Sequence, residues 1–236
     1  MTISELTQLL LQMQDEKYRQ FHSSLLPGVN NILGVRVPRL RQTAKKMLRE
    51  NSWQSYLKKA LPLKDTYYEE TVIQGLLIAQ APVELPLRLK YIGQYLPKIS
   101  NWAECDIFCA TLKEARKYPE AYSRLISECS VSDKPYLQRF AAVMLLNYFT
   151  DNAVIDASIS TLLHIKSENY YVRMGVAWAI SVLYVKQPQK TLSILQANLL
   201  TPDVHNKAIQ KICESLRVSA ADKKRLRNLK RSGTPE

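Results

Sequence analysis

The chain has 236 residues, enough for one large domain or for a repeat array counted as one unit. At 46% hydrophobic and 23% charged residues it is not a disordered chain, and only 6 glycines beside many Leu, Ala and Lys weigh towards helix over sheet. The 33 Lys and Arg against 21 Asp and Glu leave a net charge of +12, which implies a polyanionic partner such as nucleic acid or an acidic membrane and says nothing about fold.

Met1-Thr2-Ile3-Ser4-Glu5 lacks the basic start and apolar run of a signal peptide, and no apolar segment reaches bilayer length. Cys105, Cys109, Cys129 and Cys213 form no secreted disulfide pattern, so a cytoplasmic protein with free thiols is expected. Cys105 and Cys109 share a helix face, but no His or third Cys lies nearby to complete a metal site. No metal and no cofactor are expected.

In chain order, Thr2 and Glu5 have capping-box spacing ahead of the stripe Leu6, Leu9, Leu10 and Met13. A second helix, 16–24, breaks at Leu26-Pro27-Gly28, and a loop over 29–34 leads to Val35-Arg36-Val37-Pro38-Arg39-Leu40-Arg41. Pro38 suits the first turn of the next helix, which runs on through Lys45, Lys46 and Arg49. Arg39 and Arg41 lie near that start, where cations do not favour the helix dipole; an external anion or a solvated basic face accounts for them. Further helices are expected over 52–60, 66–79, 85–96, 102–117, 119–129, 135–149, 152–165, 169–185, 188–199, 202–216 and 220–230, many opened by proline.

A repeat runs through the second half. Tyr136-Leu137 recurs as Tyr171-Val172, Ala142 as Ala177 and Leu145 as Ile180, an offset of 35 residues. A weaker third copy begins near Asn206-Lys207-Ala208-Ile209. Helix pairs at such a period mark an α-solenoid: an all-α superhelix of HEAT-like antiparallel helix pairs, expected as a single domain over 1–231 with a frayed tail at 232–236. No hairpin signal, Gly-rich phosphate loop or dinucleotide fingerprint is present in the sequence.

The stretch Ser100-Asn101-Trp102-Ala103-Glu104-Cys105-Asp106 carries the most chemistry. Ser100 or Asn101 can cap a helix on which Trp102 and Asp106, four residues apart, lie one above the other. An indole beside a carboxylate suits a cleft that holds something flat and electron-poor against negative charge; a core tryptophan with a satisfied acid fits the same spacing. Glu104 and Asp106 point to different faces, so they do not form a catalytic carboxylate pair, and His22, His164 and His205 show no nucleophile–base pattern. In a stacked array Trp102 and Asp106 are expected to line one concave strip with Arg139 and Trp178 from the following repeats.

Ile32-Leu33-Gly34-Val35-Arg36-Val37-Pro38, Asn101-Trp102 to Asp106, Leu137-Gln138-Arg139 and Gly175-Val176-Ala177-Trp178 resemble, in order and spacing, the AlkD-type DNA alkylation-repair glycosylases. The similarity covers residues 5 to 231. It implies a HEAT-like repeat fold and excision of cationic N3- and N7-alkylated purines from double-stranded DNA without base flipping. It implies catalytic roles for Trp102, Asp106 and Trp178, and DNA-backbone binding by Arg139 and Arg41. Arg36, Arg39 and Lys207 are grouped with the DNA-binding set.

The chain departs from the best-known branch at Asn101, where that branch has a second Trp, and at Ser181, where it tends to carry Arg. The stretch before Leu33 also differs from it. The alternative is a non-catalytic HEAT-repeat protein that binds damaged or branched DNA; a protein-recognition solenoid without nucleic acid fits the charge less well. Duplex DNA is the expected partner, with no membrane and no obligate protein partner. A monomer is expected, nucleoid-associated when bound.

Overall fold

A computed structural model describes residues 1–64 and 66–232; residues 233–236 of the expected tail lie outside them. Among the described residues the protein is all-helical, with fourteen α-helices, two short 3-10 turns and no strand. They group into two compact units, Met1–Glu114 and Ala115–Glu236.

The first unit holds α1 (Ile3–Gln12), α2 (Glu16–Leu25), α3 (Val37–Arg49), α4 (Trp53–Ala60), α5 (Tyr68–Gln80), α6 (Leu85–Tyr95) and α7 (Trp102–Thr111). Its centre is α5, which packs against α3 on one side and α7 on the other and also meets α1, α4 and α6. That crowding buries α5 on all sides from Tyr68 to Ala79, including Glu69, Glu70 and Gln74. The second unit holds α8 (Pro119–Ser130), α9 (Pro135–Tyr148), α10 (Ile155–His164), α11 (Tyr170–Lys186), α12 (Pro188–Gln196), α13 (Pro202–Glu214) and α14 (Ala220–Arg227). Here α11 packs between α9 and α13, with α10 and α12 also against it.

The sequence signals explain most helix starts. Thr2 and Glu5 form the capping box on α1, and Leu6 and Leu10 turn into the core. Prolines sit in the first turn of α3, α6, α8, α9, α12 and α13, where the missing N–H costs nothing. The 35-residue repeat has a physical counterpart: the Tyr136 and Tyr171 rings stack with centroids 6.5 Å apart, and Ala142 and Ala177 are both fully buried.

Several ends differ from the sequence pattern. The expected 102–117 helix stops at Thr111, whose hydroxyl bonds back to the Ile107 carbonyl. The Leu112 amide then bonds to both Phe108 and Cys109 carbonyls, and a 3-10 turn over Lys113–Arg116 follows. This tighter path keeps Leu112 and Ala115 buried and brings Glu114 to the buried Arg88, which itself donates to the Ile78 and Ala81 carbonyls at the end of α5. Helix α5 begins at Tyr68 because Glu70 accepts the Tyr67 amide as a cap, and α12 ends at Gln196, followed by Asn198 in the left-handed region.

The loop 32–36 is built around a buried carboxylate. Glu69, on α5, accepts hydrogen bonds from the amides of Leu33, Gly34 and Val35 at 2.8–3.1 Å. Burial pushes its carboxyl above the ordinary range, while the amides pull it back down. Gly34 has φ +88°, and a Cβ there would sit 2.6 Å from the Asp15 carbonyl oxygen, so only glycine fits. At the other end, α13 pins the final segment: His205 Nε2 lies 2.8 Å from the Leu229 carbonyl oxygen, and Asn206 exchanges two hydrogen bonds with the Arg231 backbone.

Candidate functional site

Asn101 caps α7, its Oδ1 accepting from the amides of Ala103 and Glu104 at 3.1 and 3.0 Å. The side chain at this position is therefore committed to the helix end. Glu104 faces inward and is buried, accepting from the Ser100 amide at 2.8 Å. Desolvation pushes its carboxyl up to about 7, against the pull of the Ser100 and Asn101 donors. Behind it lie the buried Tyr68 and Tyr95, both with phenol pKa values raised by burial and then by the Glu104 charge.

The opposite side of α7 presents Trp102 and Asp106, both half-buried and one turn apart. Trp102 donates its indole N–H to the Leu25 carbonyl, 3.1 Å away at the end of α2. This satisfies one of the carbonyls that a helix end leaves without a partner and fixes the ring against the end of α2. Thus the two carboxylates of α7 are separated by environment: Glu104 lies in the core and Asp106 is accessible.

The cationic candidates fare differently. Arg41 is half-buried, donates to Thr111 Oγ1 at 3.1 Å, and lines a cleft of about 500 Å³ with Lys45, Gln80, Lys113 and Glu114. Arg36 is engaged within the protein, 3.0 Å from Asp15 Oδ2 and 4.6 Å above the Tyr18 ring. Arg39 is exposed on the first turn of α3.

In the second unit, Arg139 is only 5% exposed and donates from Nη1 to the Tyr171 carbonyl. Its stem packs over Gly175: a Cβ there would lie 3.4 Å from Arg139 Cγ, an ordinary contact distance. One turn on from Gly175, Trp178 is half-buried and lines a cleft with Ser181, Lys186, Lys211, Glu214, Ser215 and Arg217. Ser181 is buried and donates to the Trp178 carbonyl at 2.7 Å. Lys207 is half-buried on α13 and bonds to Gln210 Oε1 at 2.9 Å, one turn before Lys211.

Trp102 and Asp106 thus share one helix of the first unit, and Arg139 and Trp178 belong to neighbouring helices of the second. Lys45 beside Arg41 belongs to the basic helix read from sequence, whereas Lys113 beside Arg41, and Lys186, Lys211 and Arg217 beside Trp178, were not singled out there. Lys186, Lys211 and Arg217 reach Trp178 from the ends of two helices and a turn, which no local spacing announces. Among the described residues no group of His, Cys, Asp and Glu could hold a metal ion, and no helix is long and apolar enough to cross a membrane.

An all-helical protein with an accessible Trp/Asp pair and basic clefts fits a protein that handles a charged polymer. The family model described as DNA alkylation repair enzyme matches residues 4–212, and the chain belongs to that family. Its function class is therefore DNA repair. No curated protein matches the chain.

Proposed function

We propose that this protein is a monofunctional DNA glycosylase that excises cationic N3- and N7-alkylated purines from double-stranded DNA without flipping the base. The observation that carries the reading is the half-buried Trp102–Asp106 pair on α7, in a chain of the DNA alkylation repair family. In this proposal the helices form an α-solenoid of HEAT-like pairs over residues 1–231, and the protein acts as a monomer in the cytoplasm, on the nucleoid.

The chemistry follows from charge. An alkylated purine already carries a positive charge, so it leaves without a general acid. As the glycosidic bond lengthens, positive charge builds on the sugar, and the Asp106 carboxylate stabilises it and orients the attacking water. The faces of Trp102 and Trp178 add cation–π attraction, worth ~0.5–2 kcal/mol each. Arg41, with Lys45 and Lys113 in its cleft, supplies phosphate contacts that carry no sequence information, as do Arg39 and Lys207. Arg139 and Arg36 complete the backbone-binding set; both also hold the protein's own groups, the Tyr171 carbonyl and Asp15.

The test is release of methylated bases from methylated duplex DNA. Wild type should release alkylpurines, and Asp106→Asn should lower the rate by about 100-fold or more while DNA affinity stays nearly constant. A wild type that binds duplex tightly yet releases nothing would select the second reading, a binder of damaged or branched DNA. That reading draws on Ser181, whose hydroxyl is turned onto the Trp178 carbonyl where the best-known branch carries a cation.

A further inference from the structure

Beside Trp178, α11, α13 and the turn that follows α13 enclose a cleft of about 330 Å³. Its walls carry three cations, Lys186, Lys211 and Arg217, against one carboxylate, Glu214. Glu214 already accepts from Gln210 Nε2 at 2.9 Å, and among the described residues no ion pair engages any of the three cations. Like charges gathered around one hollow repel each other, and an anion entering it relieves that repulsion. The turn that carries Arg217 is shaped by Ser215, whose Oγ accepts the Arg217 amide at 3.3 Å. Between them Leu216 is 98% exposed, an apolar side chain at the tip of a basic turn.

We propose that this cleft is a phosphodiester-binding subsite, in which Lys186, Lys211 and Arg217 hold adjacent phosphates of the DNA strand beside the Trp178 indole. It rests on the DNA-repair reading above. Two ammonium groups act as point charges and one guanidinium presents a fork, a donor set suited to phosphate oxygens. The indole offers a flat face to the sugar or base attached to the same phosphates. The cations come from the carboxy-terminal ends of α11 and α13 and from the turn, so three separate segments converge on one hollow.

The experiment measures duplex DNA affinity against salt for wild type, Lys211→Gln, Arg217→Gln and the double variant, with Lys17→Gln as control. Lys17 is exposed on α2 and lines neither basic cleft. Each cleft substitution should flatten the plot of log affinity against log salt by about one unit and the double variant by about two, while Lys17→Gln leaves it unchanged. Glutamine keeps much of the side-chain stem, and Arg217 is exposed, so its variant keeps the test open should Lys211→Gln disturb packing. A slope equal to wild type in both cleft variants, or a control that shifts as much as they do, overturns the subsite and leaves the glycosylase reading standing. Absence of duplex binding by wild type overturns both. Titration with a deoxynucleoside monophosphate separates the remaining source: saturable binding that rivals duplex and is lost in Lys211→Gln would assign the cleft to a free nucleotide instead.

Discussion

Trp102 stands at the first residue of α7 in the amino-terminal unit, and Trp178 in the middle of α11 in the carboxy-terminal unit. The first is located by polar contacts: its N–H on the Leu25 carbonyl, the Asn101 cap beneath it, and Glu104 tying the same turn to Ser100. The second is located by the helix that carries it, which is packed between α9 and α13, with Gly175 and Arg139 fitted together one turn earlier. A side chain held by hydrogen bonds and a buried acid is sensitive to pH and to single polar changes. One held by apolar packing is sensitive to volume. The two tryptophans should therefore respond to different kinds of substitution.

The largest contrast is expected at two glycines. Gly34→Ala places a Cβ against the Asp15 carbonyl oxygen at a backbone angle that L-residues avoid. It should cost about 2–4 kcal/mol in chemical denaturation. Gly175→Ala meets only the flexible Arg139 side chain at 3.4 Å, and alanine gains about 1 kcal/mol of helix propensity. It should leave stability within about 1 kcal/mol of wild type; a loss equal to that of Gly34→Ala would erase the distinction.

Next comes pH. The Glu104 carboxyl is raised to about 7 in the folded protein from an ordinary 4.5, so folding favours its protonated form. That contribution is fully present below pH 4.5 and is lost as pH rises through 7, amounting to on the order of 3 kcal/mol. Glu104→Gln keeps an acceptor for the Ser100 amide and removes the titration. Denaturation curves from pH 5 to 8 should show a flatter stability profile than wild type, with the variant gaining relative stability at the alkaline end. An unchanged profile would remove the acid from the account of α7. A smaller loss than at Gly34 or Glu104 is expected from Trp102→Phe, which deletes the bond to Leu25 and should cost about 1 kcal/mol in chemical denaturation.

The parts of this comparison that rest on local chemistry were legible in the sequence. The capping box at Thr2 and Glu5, the Asn101 cap, the proline starts and the opposed faces of Glu104 and Asp106 all follow from spacing along one segment. The two tyrosines 35 residues apart, Tyr136 and Tyr171, stack on each other. The end of α7 was not legible, because no Gly or Pro interrupts the pattern before Pro119; buried Arg88, far back in the chain, draws Glu114 into the turn. The same holds for Trp102 on Leu25, a contact across 77 residues, and for the cations around Trp178, which come from two helices and a turn. Long-range contacts of this kind have no local pattern to announce them.

The carboxylate of Glu69 has a consequence for how the amino-terminal unit assembles. The loop 33–35 has no ladder of its own, and its amides find their acceptor 34–36 residues further on. Its shape is therefore stored in α5, and it is acquired only once that helix is in place and the intervening chain has closed, at an entropic cost that grows slowly with loop length. The segment and the helix form one cooperative folding element despite their distance in the chain. Any rearrangement of the gene that separated them, by truncation, permutation or domain exchange, would leave an acid in the core without its donors and a loop without its template.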